Sequence, residues 1–318
     1  MSATLPAAPA SVVDGDGTAA YGTYLGRTRP GVERLAVGLR RLRLKRWHYV
    51  SIASPDVLAA VAVVDVGWAQ SAFAYLFDRT SGRMVADVSS LRPLRRSAVT
   101  GFPVDGAVAT LSTRRLFARL AGTAGRWQLA VRSPELVLEA ELTESALAPT
   151  VCAVARVGTG VDCTHKTPCL AVTGVATCGS RRFVLDGAVG ALDHTAGVLP
   201  RTTVWRWASA AGPDVALNLT EQFTAPAENV LWHDGGVSRL SPVRFSFDPR
   251  RPLEPWRIAS DDGTVALEFV PEGLRRQDTN LVVAASRYVQ PVGRFRGTAA
   301  GVAIEDLPGV TEDHLARW

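Results

Sequence analysis

From Trp47 onward the sequence is written in short runs of aromatic and β-branched residues, each closed by turn-forming residues. This recurrence leaves little choice of fold. Trp47 to Ile52, Val57 to Val66 and Phe73 to Phe77 are separated by Ser54-Pro55-Asp56 and by the stretch from Asp78 to Arg83, in the manner of hairpin turns. Met84 to Val88, Ala107 to Leu111, Arg114 to Leu120, Arg126 to Val131 and Leu136 to Leu142 follow at a spacing of about ten residues, which favours a meander. Only Arg114 to Leu120 also reads as a helix. No strand–helix–strand alternation occurs.

Residues 143–168 interrupt the rhythm, and it then restarts, from Cys169 to Cys178 through Asn280 to Val289 and on to Gly293 to Ala303. Asp234-Gly235-Gly236 and Asp261-Asp262-Gly263 are further turn signals. The expected chain is therefore all-β with few short helices: a disordered or loosely docked tail over 1–20, one β domain over 21–165 and a second over 166–318. Each half has the size of a single barrel or sandwich. Thr311, followed by Glu312 and Asp313, predicts one helical turn near the C-terminus.

Composition removes several classes of function. Of 35 basic residues only Lys45 and Lys166 are lysines, which most simply reflects a GC-rich genome and otherwise hints that an ammonium is wanted at those two places. The net charge of +5 is spread along the chain; the densest run, Arg40 to Arg46, alternates with leucine and reads as a solvated face, so no nucleic-acid partner is expected. Neither a secretion signal nor an apolar run of membrane-spanning length is visible, and the expectation is a cytoplasmic protein with no integral membrane segment. Cys152, Cys163, Cys169 and Cys178 contain no Cys-x-x-Cys pair, which favours core residues over a metal site, even with His165 close by. Phosphate loops, nucleophile elbows and dinucleotide fingerprints are missing, so no cofactor is expected. Nothing in the sequence sets an oligomeric state.

The residues that would carry chemistry concentrate between Asp186 and Trp207. Asp193-His194 joins an acid to the side chain that titrates nearest neutrality. Neighbours on a strand face opposite sides, so only one of the two points into a given interior unless Thr195-Ala196-Gly197 makes a turn. The commoner alternative is an Asp in turn hydrogen bonds and a His satisfied at a barrel rim. Trp205 and Trp207 share a face, either as core or as the wall of a cavity where they stabilise a cation. Glu228, with Trp232 on the same face and Asn229 on the other, is a candidate second carboxylate or a strand-entry residue before the Asp234-Gly235 turn. Glu312-Asp313-His314 with Trp318 reads as a docked terminus, acting as a lid or a clamp.

Taken as an ordered set, Lys45-x-Trp47-x-Tyr49, Gly67-Trp68, Phe73-x-Tyr75-x-Phe77-Asp78, Lys166, Asp193-x-x-x-Gly197-x-x-Pro200-Arg201-Thr202, Trp205-x-Trp207, Glu228-Asn229-x-x-Trp232-x-Asp234-Gly235 and Glu312-Asp313-His314 resemble the bacterial family DUF2804, which is uncharacterised. A more distant resemblance is to tandem lipocalin-like proteins that include carotenoid 1,2-hydratase and tocopherol cyclase. Asp193-His194 and Gly197 match the Asp-His and Gly of the hydratase motif Tyr-His-Asp-His-Asn-Trp-Gly, whereas Leu192, Thr195 and Ala196 depart from it.

What this second resemblance implies is two lipocalin-like β-barrels or sandwiches and an apolar pocket near their junction. The expected ligand is an apolar or amphipathic small molecule, such as an isoprenoid, polyene or lipid. Asp193, His194 and Glu228 would do acid–base chemistry of the hydration, cyclisation or isomerisation kind. Trp205, Trp207, Trp232, Lys166, Arg201 and Asn229 would hold the ligand. A non-catalytic carrier, or a sugar-binding or sugar-cleaving β protein, stays open beside it.

Overall fold

The computed structural model describes residues 5–29, 31–93, 99–102, 106–123, 125–281 and 284–318. All-β organisation holds, with two large antiparallel sheets that curl into half-barrels. Among the described residues the first has fourteen strands. Its main path begins with the hairpins Arg83–Pro93, Ala69–Asp78, Val57–Asp65 and Leu44–Ala53, crosses Ala188–Val198 and Gly160–Cys178, and ends with the meander Val137–Thr143 back to Val99–Phe102. The second, of nine strands, is centred on Thr202–Ala211, Val302–Arg317, Ala284–Ala299 and Val265–Leu281.

Local sequence explains the hairpins. Ser54, Thr113 and Ser133 each place a hydroxyl oxygen where it accepts two backbone N–H groups of the following turn, so the chain reverses with its polar groups satisfied. In Val137–Thr143 burial alternates strictly, with Leu138, Ala140 and Leu142 inward and Glu139 and Glu141 outward. The first sheet curls over such inward residues: Val61, Ala74 and Val88 join Ala109, Leu120 and Leu129 in one core. A second core, with Phe269, Phe295 and Trp256, lies inside the other sheet.

Along the strands Leu44–Ala53, Val57–Asp65 and Ala69–Asp78 the outer face of the first sheet packs on the second. Tyr49, Ala60, Ala62, Tyr75 and Phe77 meet Trp207, Val292 and Val310 there. Gly273 is required at this seam, because a Cβ on it would lie 2.3 Å from the Phe77 ring.

Three expectations are corrected. The boundary at 165/166 falls inside the Gly160–Cys178 strand; the first sheet continues to Val198 and the change of sheet comes at residues 199–201, because the Lys166 strand pairs with the Asp193 strand. Residues 5–20 are docked, with Val12 and Val13 fully buried against Val154 and Val161; residues 1–4 lie outside the described residues. Thr311 to Asp313 are in the strand Val302–Arg317, not a helical turn, because their polar side chains face a buried interior rather than cap a helix. Arg114 to Leu120, read as a strand with a helical alternative, leads into the strand Phe117–Thr123, so the strand reading holds. No helix of the described residues is long and apolar enough to cross a membrane.

Candidate functional site

Register builds the site. Lys166, Asp193 and Tyr49 stand opposite one another on three adjacent strands, as do Thr164, Thr195 and Trp47. Directly opposed residues share a face, so these six side chains project together toward the second sheet. The intervening row, His165, His194 and His48, projects to the other side. Asp193 and His194 are therefore separated by the sheet itself.

The second sheet supplies the opposite wall. Trp205 and Trp207, two apart on Thr202–Ala211, lie in register with His314 and Glu312. Between the sheets is a cavity of about 360 Å³, lined by Trp47, Tyr49, Phe73, Trp205, Trp207, Tyr288 and Trp318 and carrying Lys166, Asp193, Glu228, Arg275 and Glu312. The two sheets share this one cavity.

At one end Lys166 is the hub. Its Nζ donates to Asp193 Oδ2 at 2.6 Å, lies 2.8 Å from Glu228 Oε2 and sits 5.4 Å from the Trp207 ring centroid. Burial alone would lower the ammonium's pKa, but Asp193 and Glu228 outweigh it and hold it above the ordinary lysine value. Burial pushes the Asp193 carboxyl up, Lys166 pulls it back, and the charge of Glu228 pushes it up again; the net direction is upward.

The hydrogen-bond donors distinguish the two carboxyls. The Trp207 indole N–H, which can only donate, fixes Asn218 Oδ1 as its acceptor at 2.8 Å, so the Asn218 amide nitrogen must face Glu228 Oε2, at 3.2 Å. Glu228 Oε2 thus meets two groups that cannot accept, Lys166 and Asn218, while Thr224 donates to its other oxygen. Asp193 Oδ1 meets only hydroxyls, Thr164 at 3.1 Å and Thr195 at 3.3 Å, and a hydroxyl can turn to accept. A proton is accommodated on Asp193 and not on Glu228 Oε2.

The other end is held by Glu312, which accepts from the Trp205 indole at 2.7 Å and from the Gln290 amide at 3.0 Å; Tyr75 donates to Gln290 at 2.7 Å. Burial raises the pKa of Tyr49, Tyr75 and Tyr288, so all three stay as phenols. Arg275 donates to Asp87 at 3.0 Å and lies 4.1 Å from the Phe73 ring centroid, a cation set against aromatic faces.

Of the residues singled out in the sequence, Asp193, Glu228, Lys166, Trp205 and Trp207 meet in the cavity. His194 is on the far face, 4.0 Å from His48 between ring centroids, and burial holds both imidazoles neutral, His48 down to about 3. Trp232 is core, donating to the Pro149 carbonyl at 2.8 Å; it does not line the main cavity but a small adjoining one that also borders Lys166, Asp193 and Trp207. Asn229 accepts from the Thr220 N–H at 2.8 Å and donates to the Ser241 carbonyl, fixing backbone rather than ligand. Arg201 is exposed and donates to the Trp318 carbonyl at 3.1 Å, and the Trp318 indole donates to Thr203 at 2.9 Å, so the C-terminus is clamped beside the cavity.

Tyr49, Arg275 and Tyr288 were not singled out for the site. The one local signal was the Trp47-x-Tyr49 spacing, two apart like the tryptophan pair. Asp162 was missed as well; it is fully buried on the Lys166 face, and burial raises its pKa well above the usual carboxylate range. On the opposite face Cys152, Cys163 and His165 bring metal-type donor atoms within 4.8 Å of one another, the sulfurs 3.9 Å apart. The Thr28 N–H donates to His165 Nε2 at 3.1 Å, which takes that lone pair away from any ion.

Residues 6–318 match the family model described as domain of unknown function DUF2804, and the chain belongs to that family. Among curated proteins none matches the sequence significantly. The fold is similar to that of a Nitrosomonas europaea protein provisionally assigned as AttH, at a TM-score of 0.56 and 14% identity, over 86% of this chain and 92% of that one. It is also similar to kievitone hydratase from Nectria haematococca, at a TM-score of 0.52 and 10% identity, over 86% of this chain and 87% of the other. At these identities the likeness establishes the lipocalin-like fold.

Proposed function

We propose that this DUF2804 protein binds an apolar or amphipathic small molecule, an isoprenoid, polyene or lipid, between its two sheets and adds a proton to it without a cofactor. The observation that carries this reading is the Lys166 ammonium bound by both Asp193 and Glu228 at the end of an aromatic cavity. That one of the structural neighbours is named a hydratase is consistent with it.

In this reading Asp193 gives its proton to a carbon of a double bond, and the π electrons form the new C–H bond. The resulting cation lies against the faces of Trp205 and Trp207 and near the Glu228 carboxylate. Water then adds to the cation while Glu228 takes its proton, giving an alcohol; loss of a neighbouring proton to Glu228 would give an isomer instead. Glu228 then gives that proton up to water and Asp193 takes one back, which closes the cycle, while the Lys166 ammonium holds both carboxyls in place throughout. His194 has no part in the step, being on the other face.

The sugar-cleaving alternative loses ground, since both carboxyls are tied to one ammonium and the surrounding walls are aromatic and apolar. The test is turnover of the compound extracted from the protein's own host, run in deuterium oxide. The wild type should place one non-exchangeable deuterium on carbon per product and Asp193→Asn none; an unaltered compound with the wild type would leave a carrier and overturn the catalytic reading.

A further inference from the structure

One strongly exposed apolar segment is not accounted for by the cavity. Leu39 is the most exposed large apolar side chain among the described residues, at 86%, and its neighbours Val37 and Leu42 are 69% and 57% exposed. All three lie in or beside the 3-10 turn Gly38–Arg43. In such a turn residues three apart are eclipsed, so Leu39 and Leu42 share one edge, Arg40 and Arg43 a second, and Arg41 stands on the third. From Val37 to Arg46 there is no acidic residue.

The turn is held with its backbone inward and its leucines outward. Lys45 Nζ donates to the Leu42 carbonyl at 2.5 Å and to the Val66 carbonyl at 2.8 Å, and Arg43 Nε donates to the Leu199 carbonyl at 2.8 Å. A Cβ on Gly67 would sit 3.3 Å from the Arg41 carbonyl, so this loop lies against the turn. Val66 and Trp68, on either side of Gly67, line the cavity, as does Trp318, whose ring is 5.7 Å from Lys45 Nζ. Exposed Leu91 and Arg317 also border the cavity.

We propose that Val37–Arg43 docks this face of the protein on an anionic phospholipid bilayer. Leu39 and Leu42 enter the acyl boundary while Arg40 and Arg41 meet phosphate headgroups, the arrangement that shallow interfacial segments use. Charge decides the occupant: a bare apolar patch would suit another protein, but these exposed leucines are flanked by exposed Arg40 and Arg41. The acid beside the turn, Asp65, is buried and engaged by Arg46 and the Gly67 N–H, so the exposed rim of the turn is positive and matches a surface that is apolar inside and negative at its rim. The position beside the cavity lets an apolar ligand pass between bilayer and protein without crossing water. Docking is independent of what the cavity does to its ligand.

The experiment is co-sedimentation of the full chain with vesicles of phosphatidylcholine alone and of phosphatidylcholine mixed with phosphatidylglycerol, without added ligand. Binding to the mixed vesicles, weakened by salt, is expected. Leu39→Ser/Leu42→Ser and Arg40→Gln/Arg41→Gln should each weaken it by about tenfold or more, whereas Arg250→Gln/Arg257→Gln, which removes the same charge elsewhere, should leave it unchanged. All six substituted side chains are exposed, and an unaltered thermal unfolding curve confirms each variant's fold. No binding by the wild type, equal binding to both vesicle types, or equal loss in all three variants would overturn the proposal.

Discussion

The ammonium of Lys166, on the first sheet, lies 2.8 Å from the carboxylate of Glu228, in the turn-rich stretch between two strands of the second. The same ammonium holds Asp193 at 2.6 Å, so one cation ties the two sheets together at the end of the cavity they enclose. All three side chains are buried.

Removing that cation should cost far more than removing a surface lysine. Lys166→Met leaves two carboxyls facing each other out of water, and a loss of about 3–5 kcal/mol of stability is expected, measured by denaturant unfolding. Lys166→Met/Glu228→Gln should be less destabilised than the sum of its single changes, by about 1 kcal/mol or more, because the second change removes the stranded charge. Strict additivity would mean that the 2.8 Å contact carries no coupling.

Acid should unfold the protein in part through His48. Burial holds its pKa at about 3 in the folded state, whereas an unfolded histidine titrates near about 6.5. Between these values the unfolded chain binds more protons, so stability falls as pH drops from about 6.5 toward about 3. Asp162, whose pKa burial raises, works in the opposite sense, which makes the difference between wild type and His48→Phe the informative quantity. That difference should shrink progressively below about pH 6.5; a constant offset across the range would show His48 charged in the fold.

Close packing at the seam predicts that Gly273→Ala costs about 1–3 kcal/mol, since its new methyl group meets the Phe77 ring. Phe77→Leu in the same chain should recover part of the loss. If the alanine variant unfolds at the wild-type temperature, the sheets are not pressed together at this point.

Much of the fold was legible because strand alternation and turn chemistry are local. Ser54-Pro55-Asp56 and the Leu136–Leu142 run say what they form without reference to anything distant. The site was most legible where several of its residues fall within one stretch, as with Asp193, Trp205 and Trp207; Lys166 and Glu228 stood out singly, as one of two lysines and as a carboxylate two positions before a strand. Period two also showed that Asp193 and His194 would part company, although nothing local said which would face the cavity. Tyr49, Arg275 and Tyr288 come from strands far apart in sequence, and only the docking of one sheet on the other assembles them. The boundary at 165/166 misled because the polar residues of 160–168 resemble a linker, whereas they are buried strand residues, three of which find partners outside the run: Thr164 in Thr195, Lys166 in Asp193, and Thr167 in Thr150.

The central claim is that the cavity between the sheets holds an apolar molecule with Lys166, Asp193 and Glu228 at its polar end. Native mass spectrometry of protein purified from its own host, followed by organic extraction, tests it most directly. One isoprenoid, polyene or lipid per chain is expected, retained in Asp193→Asn and lost in Ala62→Trp, which fills the cavity wall. A protein that emerges empty, and takes up no such compound when it is supplied, would contradict the account.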